Sequence, residues 1–172
     1  PCTVSVRGND LERTLFPPGD FSRLQWTLKN ADVITAVSED LRKKIEKIVS
    51  DQEIFLLKNA VDEKIFTPAS DRTGINSLRT QLNIAENEVV LGFSGELREK
   101  KGSKFLLNAL HYLRQYRPAC LFIIGDIRPD EETNIQKFAS QYPDAGNRII
   151  ITGHLEDPAT IAKYLQICDV YL

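Results

Sequence analysis

Several residue types are scarce in this chain of 172 residues, and their scarcity excludes some classes of protein. The sequence contains no methionine, two histidines and three cysteines, Cys2, Cys120 and Cys168, with no C-x-x-C pair. Two histidines are too few for a histidine-based metal site. The odd number of cysteines, each beside strand-like residues, favours small buried side chains over a disulfide or a metal site. No apolar stretch approaches the roughly 20 residues that span a bilayer.

The net charge and the two ends of the chain exclude further classes of protein. The net charge is −2, whereas a general nucleic-acid-binding protein carries a basic patch, so no nucleic-acid partner is expected. No basic segment followed by an apolar segment opens the chain, as a secretory signal would. The chain begins with Pro1, lacks methionine, and starts and stops on strand-like segments. We therefore expect it to be an internal piece of a longer protein.

Short apolar segments rich in β-branched residues alternate with amphipathic helical patterns along the chain. Segments that are apolar on both sides are typical of strands buried in a parallel sheet, and the alternation predicts βαβ units and an α/β fold. The predicted strands are residues 2–6, 33–37, 54–57, 89–93, 121–124, 148–152 and 169–172. The predicted helices are residues 21–29, 39–49, 103–116, 130–141 and 158–168, in which Trp26, Phe105 and Tyr112 are expected to pack.

The alternation is interrupted between residues 59 and 74. This stretch contains Pro68 and a polar run over residues 70–74, which is typical of a linker. We therefore predict parts of two Rossmann-like parallel-sheet domains, residues 1–66 and 75–172, joined by a linker at 67–74. No internal repeat is apparent.

The segment over residues 89–102 is the strongest candidate for a binding site. A predicted strand ends in the small residues Ser94 and Gly95, and a basic loop with Arg98 and Lys101 leads to a helix. Parallel sheets bind ligands at the carboxyl ends of their strands, and a helix start offers free N–H groups and partial positive charge. The segment therefore predicts a phosphate site, with a solvated charged turn as the alternative.

Glycine and polar residues also follow three other predicted strands: Gly125 and Asp126; Gly153, His154 and Leu155; and Arg7, Gly8, Asn9 and Asp10. Each group is a candidate for the same ligand-binding edge. Asp126 could instead stabilise a turn, His154 could be a surface residue, and the last group could be a turn capped by its own polar side chains. These alternatives stay open.

Five short motifs occur in a characteristic order along the chain. They are ADVITAVS at residues 31–38, KNAVDEKIFTP at 58–68, FSGEL through KG at 93–102, IIGD at 123–126, and ITG through CDVYL at 151–172. The set resembles the group 1 glycosyltransferases of family four, retaining enzymes with the two-domain GT-B fold. The resemblance implies that residues up to about 66 belong to the acceptor-side domain. Residues 75–172 would then begin the donor-side domain.

The resemblance also implies roles for the candidate residues. Arg98, Lys101, Ser94 and Gly95 would bind the donor diphosphate; Gly125, Asp126, His154 and Leu155 the nucleotide; and Arg7, Gly8, Asn9 and Asp10 would face the acceptor-side cleft. The arginine of the family's G-R-L motif is Glu96 here, and a carboxylate repels a diphosphate. We therefore expect Arg98, two residues further on in the same loop, to supply the missing positive charge. The catalytic residues are unknown, because the family's paired glutamates are expected after Leu172.

The implied activity is transfer of a sugar, with retention, from a nucleoside diphosphate sugar to a sugar, lipid or polysaccharide acceptor in the cytoplasm. Any contact with the inner face of the membrane would be made by regions outside this chain. No metal or other cofactor is expected, since the sequence has no Asp-x-Asp and no carboxylate cluster suited to Mg²⁺. The alternatives are a GT-B nucleotide-sugar epimerase and a non-catalytic nucleotide- or phosphate-binding module. A Rossmann dehydrogenase is disfavoured by the lack of G-x-G-x-x-G.

Overall fold

The computed structural model describes residues 1–17, 19–69 and 71–172, which form two compact units, Pro1–Val61 and Asp62–Leu172. Each unit has its own parallel sheet, so the predicted α/β class is confirmed. The predicted linker at 67–74 includes Ser70, which lies outside the described residues, and its bounds stay a prediction. None of the helices in the described part of the chain combines the length and apolar character that a membrane crossing requires.

The first unit has a three-stranded sheet whose strands lie in the order β1-β2-β3. The buried side chains of Leu28, Ile34 and Ile45 join the sheet and its helices in one core. Its elements are β1 Thr3–Val6, α1 Asn9–Leu15, α2 Asp20–Lys29, β2 Val33–Ala36, α3 Glu39–Glu46 and β3 Ile54–Leu56. Ser38 begins α3 as predicted, because its hydroxyl accepts a hydrogen bond from the Leu41 N–H at 3.3 Å.

The second unit has a four-stranded parallel sheet in the order β6-β5-β4-β7. Its elements are α4 Thr73–Gln81, β4 Val89–Ser94, a 3-10 turn Glu99–Lys101, α5 Ser103–Arg114, β5 Ala119–Ile124, α6 Pro129–Gln141, α7 Pro143–Gly146, β6 Ile149–Ile151, α8 Pro158–Leu165 and β7 Val170–Tyr171. Six consecutive residue pairs join β4 to β5, from Val89 with Ala119 to Ser94 with Ile124. These two strands form the centre of the sheet.

Helices cover both faces of the second sheet. Leu91 and Phe93 of β4 share a core with residues of α5 and α6. The intervening Val90 shares the opposite core with residues of α4 and α8. This alternation follows from the two-residue period of a strand. The loops with the candidate residues follow β4, β5 and β6 at the carboxyl end of this sheet.

Some helices were not predicted. α1 begins at Asn9, where a turn was considered, and α4 begins at Thr73, inside the segment interpreted as a linker. Ile75 and Leu78 of α4 pack against the sheet, so the helical pattern was present but was obscured by the polar residues before it. The four-residue helix α7 is too short to give a periodic signal.

Three aromatic side chains predicted to pack are exposed, so that prediction is wrong. The exposed fractions are 68% for Trp26, 80% for Phe105 and 63% for Tyr112. In α5 the buried face is formed by Leu106, Leu107 and Leu110. Phe105 lies outside this face because the aliphatic residues beside it fill the space against the sheet.

The three cysteines have different surroundings. Cys120 is buried and Cys168 is half-buried, as predicted, whereas Cys2 is exposed, which corrects the prediction for that residue. Burial raises the pKa of Cys120 to about 12 and that of Cys168 to about 11. Both thiols are therefore protonated at neutral pH, and they act as packing groups rather than nucleophiles.

A buried carboxylate organises the amino end of the second sheet. The side chain of Glu88 is 5% exposed and accepts two hydrogen bonds from Arg148, at 2.7 and 2.6 Å. Burial acts to raise the pKa of Glu88, but the hydrogen bonds from Arg148 and the Ala85 N–H, with the nearby positive charges, leave it below its usual value. The ion pair joins the starts of β4 and β6, because Glu88 and Arg148 immediately precede these strands.

Candidate functional site

The loops after β4, β5 and β6 meet at the carboxyl end of the second sheet. The Gly95 N–H donates to the Ile124 carbonyl at 2.9 Å, and the Gly125 N–H donates to the Thr152 hydroxyl at 2.9 Å. Gly95 and Gly125 have φ angles of 114° and 141°, in the region that favours glycine. The sequence indicated each of these three loops separately as a candidate for ligand binding. The hydrogen bonds hold them side by side at the end of the sheet where parallel sheets bind ligands.

The first two loops continue as a short parallel pair beyond their glycines. The Leu97 N–H donates to the Asp126 carbonyl at 2.8 Å, the Arg128 N–H donates to the Leu97 carbonyl at 3.2 Å, and Leu97 is paired with Ile127. Leu97 is fully buried and Ile127 packs against the same core. Because side chains alternate along an extended segment, the charged neighbours of Leu97 and Ile127 lie on the side away from this core.

These charged neighbours form an ion-pair group. Glu96 Oε1 lies 3.1 Å from Arg128 Nε, and Glu96 Oε2 lies 3.8 Å from Arg98 Nη1. Two guanidinium groups therefore share one carboxylate, and Glu96 does not present an uncompensated negative charge at this edge. The side chains are between 33% and 51% exposed, and ion pairs of that kind are typically worth about 0–1 kcal/mol. An incoming anion can therefore compete for the arginines.

Lys101 lies in the 3-10 turn between this pair of loops and α5. Its N–H donates to the Arg98 carbonyl at 2.8 Å, while its side chain is exposed. Among the described residues, no carboxylate forms an ion pair with Lys101. The next residue, Gly102, is the N-cap residue of α5. Lys101 is therefore close in the chain to the free N–H groups at the start of that helix. Ser94, Gly95, Arg98 and Lys101 thus share one loop at one edge, but their phosphate-binding role stays a prediction.

The residues predicted to contact a nucleotide lie in the two neighbouring loops. Asp126 Oδ2 is 4.0 Å from His154 Nδ1, and both side chains are more than half exposed. Leu155 packs its side chain against the core on the α8 side, which leaves its backbone as the group that could contact a ligand. Gly125, Asp126, His154 and Leu155 are therefore close together in the fold, and their role in binding also stays a prediction.

The candidate residues of the first unit form the turn that leads into α1, whose first two residues are Asn9 and Asp10. The Asp10 carboxylate accepts hydrogen bonds from the Arg7 N–H at 3.2 Å and the Gly8 N–H at 2.7 Å. The Arg7 guanidinium donates to Asn59 Oδ1 at 3.0 Å. The alternative interpretation of Arg7, Gly8, Asn9 and Asp10, a turn capped by polar side chains, describes these contacts, and their acceptor-side role stays a prediction.

One groove of the second unit lies elsewhere. It measures about 860 Å³ and is bounded by residues 64–65 and 67–69, by Asp71, and by helices α4 and α8. The candidate residues do not line this groove. In the described part of the chain, no three His, Cys, Asp or Glu side chains are grouped closely enough to hold a metal ion.

Sequence reasoning missed Arg128 and Thr152, although a signal for Arg128 was present. The residues Gly95-Glu96-Leu97-Arg98 recur as Gly125-Asp126-Ile127-Arg128, with glycine, acid, aliphatic residue and arginine in the same order. The spacing between the copies equals the register of β4 on β5, in which Ser94 pairs with Ile124. The chain therefore contains a short repeat of four residues, contrary to the prediction that it has no internal repeat.

A parallel sheet with glycine-closed, basic loops at its carboxyl end is typical of α/β proteins that bind phosphorylated ligands. Residues 74–172, more than half of the chain, match the family described as glycosyl transferases group 1. The chain therefore belongs to this family. The predicted family is confirmed at that level.

Individual relatives agree with this assignment. The chain is 27% identical, over 115 residues, to the putative colanic acid biosynthesis glycosyl transferase WcaI of Escherichia coli K12, a match covering 66% of this chain and 27% of that protein. It is similar to the crystal structure of Anabaena Alr3699/HepE in complex with UDP and glucose, with a TM-score of 0.70, 20% identity, and coverage of 99% of this chain and 45% of that chain. A glycosyltransferase structure from Rickettsia africae has a TM-score of 0.70 at 19% identity, over 91% of this chain and 41% of that chain.

The chain thus spans less than half the length of each of these relatives. At these identities the structural likenesses define the fold, which is that of GT-B glycosyltransferases.

Proposed function

We propose that the protein containing this chain transfers a glycosyl group from a nucleoside diphosphate sugar to an acceptor hydroxyl, with retention, as an enzyme of family four. The observation that carries the proposal is the placement of Arg98 and Lys101, beside a helix start, in a chain of the group 1 family. The family match favours this activity over an epimerase or a non-catalytic binding module.

The chemical role of the basic loop is to stabilise the leaving group. When the bond between the sugar and the donor diphosphate breaks, negative charge develops on the diphosphate oxygens. We expect Arg98, Lys101 and the N–H groups at the start of α5, which follow one another along the chain, to bind that charge. Gly95, which has no side chain, lets the diphosphate approach the backbone of the loop. No metal or other cofactor is required in this scheme.

The neighbouring loops would hold the rest of the donor. Gly125, Asp126, His154 and Leu155 are adjacent to the phosphate loop, where a nucleotide attached to the diphosphate would extend. The HepE structure was solved with UDP and glucose, and WcaI is named for colanic acid biosynthesis. The first supports a sugar-nucleotide donor, and the second is consistent with our proposal of a sugar, lipid or polysaccharide acceptor. We place the reaction in the cytoplasm, with Arg7, Gly8, Asn9 and Asp10 on the acceptor side.

Calorimetry on the full-length protein tests this proposal. UDP, GDP, ADP and TDP are titrated into the wild type, Arg98→Ala and Lys101→Ala. We expect one diphosphate to bind, and each substitution to weaken binding by roughly 1.5–3 kcal/mol, the scale of a hydrogen bond to a charged group. Lys137→Ala, which removes an exposed lysine of α6, is the matched control and leaves binding unchanged.

Two further measurements examine the reaction itself. NMR of the product made from the matching nucleoside diphosphate sugar is expected to give the anomeric configuration of the donor, and transfer is expected to continue in the presence of EDTA. Failure of every diphosphate to bind, or equal binding by the wild type and both variants, would overturn the proposal. Inverted product would overturn retention alone.

A further inference from the structure

The four-residue repeat places two arginines next to each other across two strands. Leu97 pairs with Ile127 in a parallel register, so the residues that follow them, Arg98 and Arg128, occupy equivalent positions in adjacent loops. Both lie on the side opposite the buried Leu97 side chain. The positions of the two guanidinium groups therefore result from the register of the sheet.

The charges of this pair are only partly offset. Glu96 is the carboxylate shared by both arginines, at 3.1 Å from Arg128 and 3.8 Å from Arg98. Neither contact is the two-pronged arrangement in which a guanidinium donates two hydrogen bonds to one carboxylate. Among the described residues, no other ion pair is made by Arg98 or Arg128. The two arginines carry one positive charge more than the carboxylate they share, and the nearby Asp126 is paired with His154 rather than with either arginine. Several N–H donors therefore remain for an anion with more oxygens than a carboxylate.

We propose that Arg128 is a second phosphate-binding residue, and that Arg98 and Arg128 together bind the diphosphate of the donor. This inference rests on the proposed function. A diphosphate offers oxygens on two phosphorus atoms, so adjacent planar guanidinium groups can each bind one phosphate with paired hydrogen bonds. Glu96 would then keep only part of its present contact with each arginine.

The test measures how the full-length protein binds three ligands. They are the nucleoside diphosphate that binds best among UDP, GDP, ADP and TDP, the corresponding monophosphate, and the nucleoside. Arg128→Ala is expected to weaken diphosphate binding roughly 10- to 100-fold, monophosphate binding less, and nucleoside binding not at all. Arg128→Lys retains a charge but not the planar pair of donors, so it is expected to restore part of the affinity. Arg128 precedes α6 without a side-chain capping bond, so its removal does not cost the helix a cap.

The control is Arg117→Ala, which removes an exposed arginine between α5 and β5, at the other end of the sheet. It is expected to bind all three ligands like the wild type. If Arg98→Ala weakens diphosphate binding and Arg128→Ala does not, the arginine pair is refuted while the proposed function stands. An equal loss of nucleoside and diphosphate binding by Arg128→Ala would also refute it. If no diphosphate binds the wild type, both proposals fail.

Discussion

The carbonyl oxygen of Gly95 lies so close to Gly125 that a Cβ atom at residue 125 would be only 2.5 Å from it. Gly125 also has a φ angle of 141°, a conformation that residues with side chains rarely adopt. The two glycines therefore allow the loops after β4 and β5 to touch through their backbones. The charged side chains that follow the glycines are close as well, since Glu96 Oε1 lies 3.1 Å from Arg128 Nε.

Replacing Gly125 with alanine is expected to lower the free energy of unfolding. The new methyl group would collide with the Gly95 carbonyl, and overpacking of this kind costs about 1–3 kcal/mol. Urea denaturation of the wild type and Gly125→Ala measures the effect. Gly74→Ala is the matched control, because Gly74 lies in α4 with open space around its Cα, and alanine favours a helix. Equal stability of Gly125→Ala and wild type would contradict the backbone contact.

Removing the charge of Glu96 is expected to tighten diphosphate binding. Glu96 lies next to the two arginines and offsets one of their charges, so Glu96→Gln leaves the anion site more positive. Because these side chains are partly exposed, the gain is roughly two- to fivefold, the equivalent of about 1 kcal/mol or less. Calorimetry at low ionic strength measures it.

The salt dependence of the same variant separates two explanations. The difference between Glu96→Gln and the wild type is expected to shrink at 1 M salt, where the screening length is about 3 Å. Weaker binding by Glu96→Gln at all salt concentrations would contradict this prediction and would mean that Glu96 holds the arginines in place. Glu132→Gln, at an exposed position in the first turn of α6, controls for the overall change in net charge.

The ion pair at the amino end of the second sheet is expected to make stability depend on pH. The pKa of Glu88 is lowered in the folded protein, so its unfolded form binds a proton at higher pH than its folded form. Its contribution is therefore present above its ordinary pKa of 4.5, and it is lost as the pH falls through the lower folded value. Urea denaturation between pH 7 and pH 3 measures this loss.

Glu88→Gln is expected to lower the free energy of unfolding by about 3–4 kcal/mol at pH 7 and to flatten its pH dependence below pH 4.5. Breaking a buried pair costs roughly 3–5 kcal/mol, and the lower part of that range applies here because Arg148 is 25% exposed. If the stability of Glu88→Gln falls with pH as much as that of the wild type, the prediction is contradicted, and other carboxylates cause the pH dependence. Glu132→Gln again serves as the control, since Glu132 is exposed.

Much of the fold could be predicted from local sequence. The central strands β4 and β5 are apolar on both sides because helices cover both faces of the sheet, and the predicted bounds agree with the observed ones within two residues. The start of α3 was predicted from Ser38, because a capping hydrogen bond involves only nearby residues. Helix α4 was missed because its apolar residues, Ile75 and Leu78, follow a polar run typical of a linker.

The exposed aromatic residues show where local patterns mislead. Phe105 has helical spacing with the core residues of α5, but it is 80% exposed because Leu106 and Leu107 occupy the surface that faces the sheet. A periodic pattern identifies a helix and approximately its buried face. The exact boundary of that face depends on how closely the helix approaches the strands, which is a property of the packed structure.

The sequence by itself determined the α/β class, the two parallel-sheet units and the basic loop after β4, because each depends on the order of residues along a short segment. Only the tertiary structure decided that Arg128 lies beside Arg98 and that Glu96 is shared between them. The physical reason is the register of β4 on β5, which pairs Leu97 with Ile127 and so brings together residues that are distant in the sequence. The two copies of the glycine, acid, aliphatic residue and arginine sequence lie side by side only because these strands are paired.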